Sequence, residues 1–255
     1  MIKFFRKIRQ NLLSEGKTGK YFKYAVGEII LVVIGILIAL QINNWNAQNS
    51  KKAELEVDLK NLQTEIQHNL IDLGLGIEKL DSDIKNIEYY IDIFNQEDSS
   101  TINDSIIHMM INNLGRKRLK NLERHSHLNI MNSGIIDYIE EAKNDSLKNN
   151  ILKMQNGFNT YYEYKTMLNS HLENDLRPYL YKSANFIDIK VFQAVTRNIS
   201  NKAYLPLDHN SFVNNREFTN LLLIRHAINK AAKESFEYMS DRFLMIHSEI
   251  DDYLN

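Results

Sequence analysis

Cysteine is absent from the 255 residues, so the fold uses no disulfide and no thiolate chemistry. Proline occurs twice and glycine nine times. So few helix breakers, beside heavy use of Leu, Ile, Lys, Glu and Asn, predict an all-α protein. No Walker loop, dinucleotide-binding glycine pattern, nucleophile elbow, H-E-x-x-H pair or lipobox occurs, and no internal repeat is visible. The sequence therefore predicts no cofactor and no resident metal, and it points away from an enzyme.

What the chain does have is one long apolar run. Every residue from Ile29 to Leu40 is apolar, and Tyr24–Trp45 as a helix measures about 32 Å, the thickness of a bilayer core. Ten Ile, Leu and Val side chains favour insertion by roughly 3–6 kcal/mol. Glu28, near one end, opposes it by at most a few kcal/mol. Tyr21, Phe22 and Tyr24 at one end and Trp45 at the other are interface anchors. The run exceeds a signal-peptide h-region and lacks a good small-x-small cleavage site after it, so an uncleaved signal anchor is expected.

Charge gives the orientation. Lys3, Arg6, Lys7, Arg9, Lys17, Lys20 and Lys23 precede the span against one acid, Glu15. From residue 29 onward the chain has 24 bases and 30 acids. The positive-inside rule puts residues 1–23 in the cytoplasm, residues 24–45 across the inner membrane and residues 46–255 in the periplasm. Residues 1–14 form an amphipathic helix, with Ile2, Phe5, Ile8 and Leu12 on one side and Lys3, Arg6, Lys7 and Arg9 mostly opposite. Such a helix lies among anionic headgroups. Gly16 and Gly19 are expected to turn the chain into the span. The acidic main domain does not suit nucleic acid.

The run from Lys3 to Asn46 resembles the N-terminal signature of a family widespread in Bacteroidota, a domain of unknown function with one N-terminal transmembrane helix. The matching pieces are Lys3–Arg9, Gly27-Glu28-Ile29, Ile34–Leu40 and Gln41–Asn46; Leu128–Ile139 also looks like the family's internal pattern. The resemblance implies an envelope protein with a mostly helical ectodomain and implies no activity.

Beyond the span, an apolar seam runs Leu55, Leu59, Leu62, Ile66, Leu70, Leu73, Ile77, Leu80, Ile84, Ile87, Ile91, Phe94. Its steps alternate three and four with one stutter near Ile66. Gly74 and Gly76 weaken its middle, and Asn43–Ser50 offers a second place for a break. Asp104 is expected to cap a short helix ending at Gly115, and two short helices flank Ser133-Gly134. A further helix starts near Asp145 and runs toward Pro178. Glu217–Leu254 is the last long helix, with a seam through Phe218, Leu221, Ile228, Phe236, Met239, Phe243, Ile246, Ile250 and Tyr253. An elongated antiparallel, coiled-coil-like bundle buries these seams most simply.

Glu28, Gly35 and Ala39 share a narrow stripe of the span. Gly35 and Ala39 are a small-xxx-small pair that permits close helix approach, and an acid inside a membrane is a candidate functional residue. One reading is self-association, or a membrane-protein partner held on this stripe; the other leaves Glu28 near the cytoplasmic headgroups, where it tunes insertion. An accessory subunit of a membrane complex working through Glu28 is the alternative. A metal-dependent hydrolase using His125 and His127 is a more distant one, because residues two apart on a helix do not share a face. Arg116–Lys120 and Tyr161, Tyr162 and Tyr164 are better explained as a solvated run and as core residues.

Overall fold

A computed structural model describes residues 18–94, 102–114, 119–140, 146–184 and 207–255. All regular structure among them is helical. Helix α1 is Thr18–Phe94, α2 Asp104–Leu114, α3 His125–Ser133, α4 Leu147–Ser170, α5 Arg177–Ser183 and α6 Arg216–Leu254. Two 3-10 turns, Ile135–Tyr138 and His209–Ser211, and one π-helical turn, His171–Leu176, complete the set. The chain divides into two compact units, Met1–Glu56 and Val57–Asn255.

In the first unit α1 starts at Thr18, so Gly19 lies inside the helix and makes no turn. The apolar run is long and apolar enough to cross a membrane, as a membrane anchor or a signal sequence would be. From Ile29 to Ile42 each large hydrophobic side chain is exposed. Lys51 pairs with Glu54 at 2.7 Å. Helix α1 is unbroken through Asn43–Ser50, where the sequence offers a break.

The second unit is organised by three helices. From Val57 onward α1 is unbroken through Gly74 and Gly76, and no bend forms. Its buried seam positions are Leu59, Leu62, Ile66, Asn69, Leu73, Gly76, Leu80, Asp83, Ile87, Tyr90 and Phe94, with Glu65 buried beside them. These steps alternate three and four without a stutter, the spacing that keeps one seam facing a partner helix. Leu70, Ile77, Ile84 and Ile91, expected in the seam, are its half-buried flanks. Helix α6 behaves alike: Leu222, Arg225, Asn229 and Ala232 are buried, whereas Leu221 and Ile228 are half-buried.

Four polar pairs set the register of α1 against α6. They are Gln63–Asp251 at 2.6 Å, Gln67–His247 at 2.8 Å, Asp81–Lys233 at 2.8 Å and Glu88–His226 at 2.9 Å. Each advance along α1 is matched by an equal retreat along α6, so the two run antiparallel. Lys233, together with Lys85, holds the Asp81 carboxyl down to about 2. Helix α4 is also antiparallel to α6, with Phe158 against Phe243 at 5.6 Å, Tyr161 against Phe236 at 4.6 Å, and Arg225 Nη1 donating to Leu168 O at 2.6 Å.

Helix α4 buries Leu147, Ile151, Met154, Phe158, Tyr161 and Leu168, with Leu172 of the π turn, at heptad spacing; Leu176 of that turn and Leu180 of α5 follow at two steps of four. Two successive fours would swing a regular helix by about 80°. The π turn, wound less tightly, absorbs that swing and keeps Leu176 buried with Asp175 exposed. It also precedes Pro178, whose ring would crowd the carbonyl four residues back in a tighter helix.

A second cluster closes the end of this unit. Ile87, Tyr90 and Phe94 meet Ile107, Met110 and Ile111 of α2, Leu176 and Leu180, and Phe212 and Phe218. The N-terminus of α2 is capped by the Asn103 side chain, which accepts from Ile106 N at 3.1 Å; Asp104, the expected cap, is the first helical residue. Gly134 takes the left-handed conformation (φ 70°) that ends α3. Asn215 caps α6, accepting from Phe218 N at 3.0 Å.

Candidate functional site

Within the first unit, Glu28 is half-buried, and Ala39 and Trp45 are exposed. A Cβ on Gly35 would meet nothing within 4 Å. At 100° per residue Glu28, Gly35 and Ala39 fall within a stripe about 40° wide. Lys3, Arg6, Lys7 and Arg9 lie outside the described residues, as do Arg116, Lys117 and Arg118.

The histidine pair separates. His125 is exposed, whereas His127 is fully buried in α3. The His127 Nε2 lies 3.0 Å from Ile151 O. A carbonyl only accepts, so Nε2 carries the proton and Nδ1 is left a bare lone pair without a partner. Burial pushes the His127 pKa below the ordinary histidine value. No group of three His, Cys, Asp or Glu able to hold a metal exists among the described residues.

Glu65 of α1, itself buried, supplies what α3 needs at its start. Its carboxylate accepts from Ser126 N at 2.6 Å and His127 N at 3.3 Å, where a helix terminus favours negative charge. Just before α3 the chain runs non-helical through Leu119–Arg124 between α1 and α4. This strap's backbone is satisfied by side chains. Asn69 donates to Glu123 O at 2.7 Å and accepts from Glu123 N at 2.8 Å. Lys120 O accepts from the Tyr161 hydroxyl and from Lys165 Nζ, both at 2.8 Å, and Leu122 O accepts from the Tyr162 hydroxyl at 2.9 Å. Burial drives the Tyr161 phenol far above its ordinary pKa and lowers that of Lys165. A Cβ on Gly76 would sit 3.2 Å from Leu119, so this glycine gives the strap room. Asn69→Ala strands both polar groups of Glu123. A loss of about 2–3 kcal/mol is expected, read as a lower urea midpoint.

Three further features escape pattern reading. His171, in the π turn, is buried with neither ring nitrogen bonded, and burial with the nearby Arg225 cation lowers its pKa. Asn229 is fully buried with both amide atoms unbonded. The third feature is a groove of about 240 Å³ between α4 and α6. Met154, Met239, Phe243 and Ile246 line it as apolar residues, and Lys153, Arg242 and Tyr238 as polar ones. Arg242 Nη2 donates to Asn150 Oδ1 at 2.9 Å, and Asn150 Nδ2 in turn donates to both carboxylate oxygens of Glu249 at 2.9 Å.

Comparison with protein-family models, with curated proteins and with solved structures finds no match for this chain.

Proposed function

We propose that the protein is a single-pass, membrane-anchored envelope protein that works by assembly, as a scaffold or sensory-type partner, and not as an enzyme. One observation carries this reading. The same helix that buries a residue at every third or fourth step beyond Val57 exposes all its large hydrophobics from Ile29 to Ile42. A stretch so apolar and so bare is stable where lipid replaces water. In this reading the N-terminus is cytoplasmic, Lys3, Arg6, Lys7 and Arg9 lie against anionic headgroups, and the helices of the periplasmic part form an antiparallel bundle. The resemblance of residues 3–46 to the Bacteroidota envelope family agrees with it. The stripe of Glu28, Gly35 and Ala39 is the surface for a second copy or a membrane-protein partner.

Because the chain lacks cysteine, topology is open to single-cysteine labelling. Ser50→Cys is expected to react with an impermeant maleimide in cells with a permeabilised outer membrane, and Ser14→Cys only after lysis. In-membrane crosslinking with mass spectrometry then compares the wild type with Glu28→Gln and Gly35→Leu. Loss of one specific crosslink in both variants is the expected result. Crosslinks untouched by either substitution would remove the stripe from the assembly. A foreign subunit recovered through Glu28 alone would favour an accessory role in a larger membrane complex.

A further inference from the structure

The groove between α4 and α6 has a charge balance unlike the rest of its unit. The part of the chain from residue 29 onward has more acids than bases, yet no carboxylate lines the groove while two cations do. Among the described residues Lys153 makes no ion pair, and Arg242 donates to the neutral Asn150 amide. The acid nearby, Glu249, is engaged by Asn150 and by the Ser146 hydroxyl. Two cations beside an apolar floor are complementary to a ligand that is anionic at one end and apolar along its length.

Gly157 supplies an independent sign that the groove is kept open. It sits in mid-α4, where glycine is less stable than alanine by roughly 0.5–1 kcal/mol. Packing does not require it: a Cβ there would meet only the Met239 side chain, at 3.5 Å or more, an ordinary contact. The missing side chain leaves room beside Met239, which is itself buried. Methionine is itself a side chain that adapts to a varied apolar guest.

We infer that this groove binds a medium-chain carboxylate, its head between Lys153 and Arg242 and its chain over Met154, Met239 and Phe243. The groove is small, about 240 Å³, and octanoate serves as the probe. The groove lies wholly within Val57–Asn255, so this inference is independent of assembly through the span.

The test is calorimetric titration of octanoate into the full chain held in lipid nanodiscs, with empty nanodiscs subtracted. Saturable one-to-one binding is expected, with octanol, equal in chain and lacking the charge, at least tenfold weaker. Lys153→Gln, an exposed change that spares the core, is expected to weaken octanoate about tenfold. Gly157→Ala is expected to raise the melting temperature by a few degrees, and Gly157→Leu to abolish saturable binding. Octanoate that fails to saturate, or that binds Lys153→Gln and Gly157→Leu as it binds the wild type, reports partition into the bilayer and overturns the inference.

Discussion

Phe236→Ala is expected to cost the second unit about 3–5 kcal/mol, the range for removing a fully buried aromatic ring. Phe236 is completely buried, tilted against Tyr161 at 4.6 Å and edge-on to Tyr164 at 6.4 Å. Its loss reaches beyond the cavity. Tyr161 is held between this ring and the strap carbonyl of Lys120, so a ring free to tilt loosens the bond that satisfies the strap. At roughly 2–4 °C per kcal/mol for a unit of this size, the melting temperature should fall by about 10 °C. Phe236→Leu, which refills most of the volume, should cost under about 1.5 kcal/mol. Circular dichroism melts of the full chain in nanodiscs provide the measurement. A change below about 1 kcal/mol for the alanine variant would mean that this layer does not hold α4 to α6.

The second large effect is acid sensitivity near neutral pH. Burial lowers the pKa of both His127 and His171 below the ordinary value of 6.5. Glu65 acts against that shift at His127 while Arg124 adds to it; at His171, Asp175 acts against it and Arg225 adds to it. When a base has its folded pKa depressed, the unfolded chain takes up the proton first. The stability is therefore complete above about pH 6.5 and is lost as pH falls from there toward the folded value. Each histidine contributes a slope of about 1.4 kcal/mol per pH unit in that window, so the two together give nearly 3 kcal/mol per unit. Urea midpoints at pH 7.5, 6.5 and 5.5 should show a plateau followed by a fall. His171→Leu removes two unbonded ring nitrogens from the core and should halve the slope without lowering the midpoint at pH 7.5. Equal midpoints at all three pH values would rule out neutral, buried imidazoles.

Much of the helical order is legible in the sequence, because periodicity and breakers are local properties. Both long seams are read at nearly the right place, and Gly134 and the apolar run are visible at once. The seam errors at Asn69 and Asn229 share one cause. Reading only apolar residues moves the α1 seam from Asn69 to Leu70 and creates a stutter that the helix lacks. The same habit puts Ile228 where Asn229 is buried. Polar seam positions are stable only through partners that come from far along the chain, as Asn69 has in Glu123, and no local pattern announces them. The burial of His127 is hidden for the same reason: its acceptor, Ile151 O, belongs to another helix. The strap Leu119–Arg124 has no local signal, because the donors that satisfy its backbone lie forty or more residues away.

The candidate sites divide in the same way. Glu28, Gly35 and Ala39 are found from one helix, since a stripe needs only a repeat. The groove is invisible beforehand, because it takes Lys153 and Gly157 from one helix and Tyr238 and Arg242 from another, and nothing in either segment states the register between them.

The wide turn at His171–Leu176 means that backbone length and packing length differ here. Residues 147–180 interdigitate with their neighbours like a helix one residue shorter, and the surplus is stored in the winding. An evolutionary insertion at this point is thereby silent to both flanking cores: the ribbon has slack where its surface has none. Such a reserve lets a lineage change the loop side of the helix, where Asn174 and Asp175 face out, while Leu172 and Leu176 keep their places.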